Sequence, residues 1–369
     1  MILPKRADAP RLRCRTMTKP HDIALLRLVA QRIAGPGFAT ATDAVRWLTA
    51  AQAQDYPGAV TSIALRTGSR TRQIVEASLN AGEVVRSWPM RGTLHFVLAE
   101  DLPWMLSLTT ERLLAGAASR RAALGLDMQI IEHARQLATD ALAGGRQLRR
   151  DALLTIWDDA GLLTVKQRSY HLIWYLAQTG TLCYGPVRDG EQDIVLVDDW
   201  VPNPRRPERE EALGEWVLRY FHSHGPATVK DFAWWTKLVV ADVKTGLAVV
   251  RSQLERLEVN GIEHFMHPQT AALLDSCRSR AKGVFLLPGF DEYMLGYQDR
   301  GAALPAEFAQ RIIPGNNGMF QPTVIADGKV IGTWKRAGRG AKQTVLATPF
   351  TSFSSTIHDT ITRLYDALP

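Results

Sequence analysis

The sequence predicts an α+β protein: three tandem winged helix-turn-helix modules followed by a small C-terminal β-barrel or antiparallel sheet. Two observations carry this reading. Helical apolar spacing, a turn, further helix and then a β-rich hairpin recur three times along the chain. From about Gly283 the pattern changes to short strands. Identity between the three modules is low, so the repeat is architectural.

Residues 1–20 are basic, lack the apolar run of a secretory signal, and read as a loose tail. Module 1 covers 21–127. Ile23, Leu26, Val29 and Ile33 share one helical face, and Gly35-Pro36-Gly37 ends that helix. Thr42 is placed to cap the next helix, which carries Ala44, Trp47, Leu48 and Ala51. Ser69 or Thr71 starts a third, with Ile74, Val75 and Leu79. Val84 to Trp88 and Thr93 to Val97 then form a hairpin across Pro89-Met90-Arg91-Gly92, the wing.

Module 2 covers 128–201, with helices from Ile130 to Leu142, Leu148 to Gly161 and Tyr170 to Gln178. Its hairpin joins Leu182 to Gly185 with Asp193 to Leu196. Pro202 to Pro207 is a stiff linker opening module 3, 202–275. There Ala212 to His222 is helical, Thr228 starts a helix holding Asp231, Phe232 and Trp235, and Lys244 to Leu257 reads as a recognition-type helix. Val259 to Phe265 supplies short strands. In the C-terminal part, 276–369, strands begin at Val284, Pro322, Lys329 and Gln343, Ala326-Asp327-Gly328 is a hairpin turn, and Ser354 to Leu368 is a closing helix.

With 46% apolar and 22% charged residues, the 369-residue chain is a globular protein large enough for two or three cores. No apolar run approaches bilayer length, so a cytoplasmic protein without a membrane partner is expected. Cys14, Cys183 and Cys277 are far apart and odd in number, which excludes a disulfide framework and paired zinc spacing. His264 and His267, and His222 and His224, have no pattern completing either pair into a metal site. No dinucleotide, phosphate-loop or kinase motif is present, and no cofactor is expected.

The net charge of +7 favours a polyanionic partner. A winged helix offers a helix sized for the major groove and a hairpin that reaches a neighbouring groove or the backbone. Basic residues recur beside the expected hairpins: Arg66, Arg70, Arg72, Arg86 and Arg91, then Arg146, Arg149, Arg150, Lys166 and Arg168, then Lys329, Lys335, Arg336, Arg339 and Lys342. Singly, each reads as solvated surface charge. Together they point to double-stranded DNA.

The segment from Thr49 to Pro57 holds Gln52 and Gln54. Two residues apart on a helix, they would point in nearly opposite directions. Spacing alone favours two exposed polar residues at a fraying helix end. Pro57, which pushes Tyr56 toward extended structure, opens the alternative in which both glutamines share one cavity.

Gln52-Ala53-Gln54-Asp55, followed by Arg86-Ser87-Trp88-Pro89-Met90-Arg91-Gly92-Thr93-Leu94-His95, resembles the AlkZ-type DNA glycosylases, the family of azinomycin-resistance and YcaQ-like crosslink glycosylases. The stretch from Leu287 through Asp291-Glu292-Tyr293 to Arg300 is similar to a second signature of that family. The likeness runs from about His21 to the end. It implies tandem winged helices and a C-terminal β-barrel around a DNA channel, and monofunctional excision of bulky N7-alkylated purines, including unhooking of interstrand crosslinks in repair or self-resistance. The family's catalytic Gln-apolar-Gln motif falls on Gln52 and Gln54; relatives of the YcaQ branch carry Asp at the second position.

An amide is no base, so the two glutamines would orient a water toward the anomeric carbon rather than deprotonate it. That suffices when N7 alkylation has already made the purine a good leaving group. Arg91 and His95, on the expected wing, are candidates to contact the lesion strand, although His95 reads equally as a half-buried strand residue. Arg86, Lys335, Arg336 and Arg339 are candidate phosphate contacts, and Trp88 is a candidate for stacking or for the core. Asp55 reads first as a helix cap. Asp291 and Arg300 read as a structural ion-pair and turn cluster near the channel. A monomer is the default, because lesion recognition needs no two-fold symmetry. A non-catalytic winged-helix transcription regulator or architectural DNA binder is the competing reading, and it has no use for the Gln-Ala-Gln segment.

Overall fold

Three helical groups each lead into a hairpin, and these hairpins turn at positive φ at Arg91-Gly92, Asp189-Gly190 and Asn260-Gly261. The computed structural model describes residues 15–16, 20–338, 340 and 343–369. Most of the expected tail, together with Arg339 and Lys342, lies outside them. Within the tail, strand β1 (Arg15–Thr16) pairs in parallel with a strand far along the chain.

Helix α1 (Pro20–Ala30) is followed by α2 (Ala41–Leu48). Thr40, not Thr42, caps α2, its side chain accepting from the Asp43 N–H; Thr42 is already helical and bonds Ser78 and Glu83. Next come β2 (Ala51–Gln52), α3 (Tyr56–Ala64) and α4 (Arg72–Asn80), the last starting after Thr71 as expected. Strands β3 (Val84–Met90) and β4 (Thr93–Leu98) enclose Arg91-Gly92, at φ 57° and 70°. Positive φ at both positions gives the two-residue turn whose twist matches a hairpin.

Helices α5 (Leu102–Gly116) and α6 (Ala118–Ala123) lead to α7 (Met128–Leu142), α8 (Arg150–Asp159) and α9 (Arg168–Gln178). Hairpin β5 (Leu182–Arg188) and β6 (Glu191–Leu196) follows, then the short α10 (Val197–Trp200). The third helical group is α11 (Arg209–His224), α12 (Val229–Thr236) and α13 (Val240–Val250), with β7 (Glu255–Val259) and β8 (Ile262–Met266) behind it. A reciprocal capping box between Thr228 and Asp231 starts α12. The expected helix from Lys244 to Leu257 is corrected here. It stops at Val250, and beyond it Leu257 and Val259 are buried while Arg256 and Glu258 are exposed, the period of a strand.

The C-terminal part contains α14 (Thr270–Ala281), β9 (Val284–Leu287), α15 (Glu292–Leu295), α16 (Ala309–Ile312), β10 (Thr323–Ala326), β11 (Lys329–Ala337), β12 (Thr344–Pro349) and α17 (Ser355–Asp366). Its four strands, in the order β12-β11-β10-β9, form an open antiparallel sheet and no closed barrel. Four strands are too few to close around side chains. Instead Ile361 of α17 packs with Leu286, Val324 and Trp334.

The first two hairpins do not project separately. Arg86 of β3 pairs with Tyr184 of β5, merging them into a five-stranded sheet of order β2-β4-β3-β5-β6. Trp216, Tyr220, Phe232 and Trp235 of the third helical group pack with Val85 and Val97 of that sheet in one core. This packing brings α12 and the α15 segment to the strand that carries Gln52.

Candidate active site

Thr49, at φ 72°, turns the chain out of α2. Ala51 and Gln52 then pair with Phe96 and His95 of β4, and the Ala53 N–H donates to the Leu94 carbonyl at 2.7 Å. The Gln-Ala-Gln segment is therefore extended, not a fraying helix end. In an extended chain, residues two apart point to the same side. The Gln54 N–H donates to Gln52 Oε1 at 3.1 Å, and Gln54 Oε1 accepts the Leu94 N–H at 3.3 Å. A backbone N–H can only donate, so these bonds fix both amide orientations. Each side-chain oxygen keeps a second lone pair, and each amide keeps its NH2 donors. Gln52 is buried and Gln54 exposed.

The Gln52 N–H donates to Glu292 Oε1 at 2.9 Å. The other carboxylate oxygen accepts from Trp235 Nε1 at 2.9 Å and lies 3.5 Å from His224 Nε2. Burial alone would raise the Glu292 carboxyl, but His224, the Arg91 charge and the Gln52 N–H outweigh it and hold it down at about 2. A buried carboxylate thus lies directly behind the first glutamine.

Its neighbour Asp291 has a different task. Arg66 grips it with two bonds, 2.9 and 3.0 Å, and Ser62 of α3 donates to it at 2.7 Å. Arg66 also bonds Gln31 and the Ser62 carbonyl. This fully buried junction ties α1, α3 and the α15 segment together, so Arg66 is no DNA contact.

His95 is fully buried. Its Nδ1 lies 2.8 Å from the Thr93 carbonyl and its Nε2 3.0 Å from Arg91 Nη2. The carbonyl can only accept and the guanidinium only donate, so the ring is neutral with its proton on Nδ1. Burial and the Arg91 charge agree, pushing its pKa down to about 3. Of the two strand-or-contact readings of His95, burial selects the strand residue; it orients Arg91 and touches no solvent.

Arg86 holds the glutamine segment from behind. Its Nε donates to the Ala53 carbonyl at 2.8 Å and its Nη2 to the Gln54 carbonyl at 3.5 Å, with the guanidinium between Tyr56 and Tyr184. Trp88 is only 2% exposed, within a core shared with Trp157 and Leu176, and is unavailable for stacking on DNA. Asp55 is exposed at the N-cap position of α3, without a side-chain cap bond. Arg300 donates to the Met294 carbonyl at 2.6 Å and lies over Trp234 and Phe320. Lys335 and Arg336 are exposed on β11, far along the chain from this site.

Sequence reasoning missed Glu292 as the partner of Gln52, and missed Trp234, Trp235 and His224 altogether as site residues. Trp235 was legible as a helix residue and Glu292 as part of a signature. Their meeting with Gln52 spans 240 positions in the chain, a separation that no local pattern encodes.

The two glutamines lie on one extended segment, with a buried carboxylate behind the first, on a frame of helices and hairpins. A family model described as AlkZ-like DNA glycosylase matches residues 45–367, and the chain belongs to that family. The interstrand DNA cross-link repair glycosylase of Streptomyces sahachiroi is 27% identical over 327 residues, covering 84% of this chain and 85% of that protein. The solved structure of Streptomyces sahachiroi DNA glycosylase AlkZ superposes with a TM-score of 0.78, at 23% identity and 96% coverage of both chains. No helix among the described residues is long and apolar enough to cross a membrane.

Proposed function

We propose that the protein is a monofunctional glycosylase that hydrolyses the N-glycosidic bond of bulky N7-alkylated purines in duplex DNA, interstrand crosslinks included. The observation that carries the proposal is the joint presentation of Gln52 and Gln54 on one side of an extended segment, with both amides fixed by backbone bonds.

A water held by the free lone pairs and NH2 groups of these amides is aimed at the anomeric carbon of the damaged nucleotide. As the C1′–N9 bond breaks, its electron pair neutralises the positive charge that N7 alkylation placed on the purine. The water oxygen bonds to C1′, and its surplus proton passes to solvent. Neither amide takes that proton. The sugar is positively charged near the transition state, as in other glycosidic cleavages. The buried Glu292 carboxylate behind Gln52 favours that charge and fixes the Gln52 backbone, so it acts as a positioning residue. Asp55, exposed beside Gln54, adds a second negative charge at the rim.

Release of N7-methylguanine from methylated duplex DNA tests this, with a crosslinked duplex in parallel. Wild type should release base, and Gln52→Ala and Gln54→Ala should lose on the order of 10²-fold in single-turnover rate with DNA binding retained. Binding without release from either duplex would overturn the proposal in favour of a non-catalytic DNA-binding protein.

A further inference from the structure

Three cations surround one aromatic ring beside the glutamines. The Arg300 guanidinium lies 4.9 Å from the Trp234 ring centroid, the Lys237 ammonium 5.4 Å and the Arg91 guanidinium 5.7 Å. Among the described residues, no carboxylate comes within 4.0 Å of any of the three. Arg66, Arg149, Arg205, Arg219 and Arg278, by contrast, each have an acidic partner. An aromatic face attracts cations but does not cancel their charge. Glu292 acts on Arg91, and Asp231 and Asp299 on Arg300, without reaching ion-pair contact.

The three are also held in place. Arg300 is fixed by the Met294 and Gln298 carbonyls, and Arg91 by His95. Arg91 Nε and Arg300 Nη2 are buried without a hydrogen-bond partner. Lys237 is exposed and sits at the end of α12, at φ 61°. Burial lowers the affinity of Lys237 for its proton, and so do the charges of Arg91 and Arg112.

The cluster is coupled to the glutamines from two directions. Arg91 bonds His95, the ladder partner of Gln52. Trp235, adjacent to Trp234, bonds the Glu292 carboxylate that holds the Gln52 N–H. Arg91, Arg112 and Lys237 also line a cavity of about 700 Å³, whose lining includes Glu111 and Asp242.

We propose that Arg91, Lys237 and Arg300, arrayed on Trp234, form a seat for one phosphodiester of the DNA strand, next to the nucleotide whose base is removed. The inference rests on the glycosylase reading for its ligand. Guanidinium forks and an ammonium with no carboxylate at ion-pair distance are the donor set a phosphate oxygen requires. The indole ring keeps the three cations oriented while DNA is absent. A backbone phosphate fixed there sets the distance between the damaged sugar and the water on Gln52 and Gln54.

The test uses duplexes carrying one N7-methylguanine, with a neutral methylphosphonate placed singly at each flanking linkage. For wild type, one linkage should stand out, its neutralisation weakening binding roughly tenfold. Lys237→Gln and Arg300→Gln should be insensitive at that linkage, and the slope of log K against log salt should fall by about one per variant. Wild-type slopes and wild-type sensitivity at every linkage in both variants would overturn the seat. Lys237 is exposed, so Lys237→Gln decides the question if Arg300→Gln does not fold. Base release is scored separately: wild type that binds but releases nothing refutes the glycosylase reading, while the slope difference on undamaged duplex still decides the seat.

Discussion

Two groups of charge are built from the same stretch of chain, and they are treated in opposite ways. Asp291, at its start, meets Arg66 in a junction where the guanidinium and carboxylate are bonded to each other, to Ser62 and to Gln31. Arg300, at its end, joins Arg91 and Lys237 around Trp234 with no carboxylate of the described residues at ion-pair distance. The first group is closed, with its hydrogen-bonding capacity used inside the protein. The second is open, its charge left for a ligand. In the sequence Arg66 and Arg91 looked alike, as basic residues near an expected hairpin, and Asp291 and Arg300 fell in one expected ion-pair cluster.

The contrast breaks most readily at the closed junction. Removing one partner of a buried pair strands the other charge, at a cost of about 3–5 kcal/mol. Arg66→Ala and Asp291→Ala should each melt far below wild type, and base release should fall only in proportion to the folded fraction. A small melting shift with a large loss of rate per folded molecule would place Asp291 in the chemistry and dissolve the distinction.

Much of the frame could be read from local pattern, because local physics determines it. Asp189-Gly190, Asn260-Gly261 and Asp327-Gly328 all occupy positive φ, as does Arg91-Gly92, and such pairs announce a hairpin. Apolar period found α7, α9 and α11 with errors of a few residues. It failed between Lys244 and Leu257, where a run of apolar residues continues from helix into strand. For Gln52 and Gln54 the sequence left a fraying helix end and an extended segment both open; the extended geometry comes from the short strand β2 and not from Pro57, since Tyr56 already belongs to α3. The carboxylate behind Gln52 and the cations on Trp234 come from distant segments and depend on how α12 and α15 pack against the sheet. Burial also decided between readings the sequence left open: Trp88 lies in the core and Arg66 in a junction, while Lys335 and Arg336 stay on the surface as expected of solvated charge.

A smaller effect sharpens the border between the closed and open groups, where His95 supports Arg91. Its pKa is about 3 in the folded protein, against 6.5 for the free side chain. Below pH 6.5 the unfolded chain takes up a proton that the folded protein refuses until about pH 3. The stability due to neutral His95 is therefore complete above pH 6.5 and is lost as pH falls toward 3. Between pH 6.5 and 5 the loss is about 2 kcal/mol. Melting curves of wild type and His95→Gln across that range should converge as pH falls, since the variant lacks this group. Parallel curves would show that His95 does not exclude the proton, and the support of Arg91 by a neutral ring would fail with it.

The smallest effect on stability belongs to the exposed cations of β11. Lys335 and Arg336 have no buried role, so Lys335→Gln and Arg336→Gln should change stability by less than about 0.5 kcal/mol. If these residues contact DNA, each substitution lowers the salt slope by about one, as at Lys237. The difference lies in where the loss falls. A cation on a surface strand contributes to affinity for any duplex, damaged or not, and base release from the bound complex should keep its wild-type rate. A cation in the Trp234 seat acts on one linkage beside the lesion, and its loss should slow release from the bound complex as well as weaken binding. Equal slowing by Lys335→Gln and Lys237→Gln would mean that both act only as general attraction, and that the open cluster holds no particular phosphate.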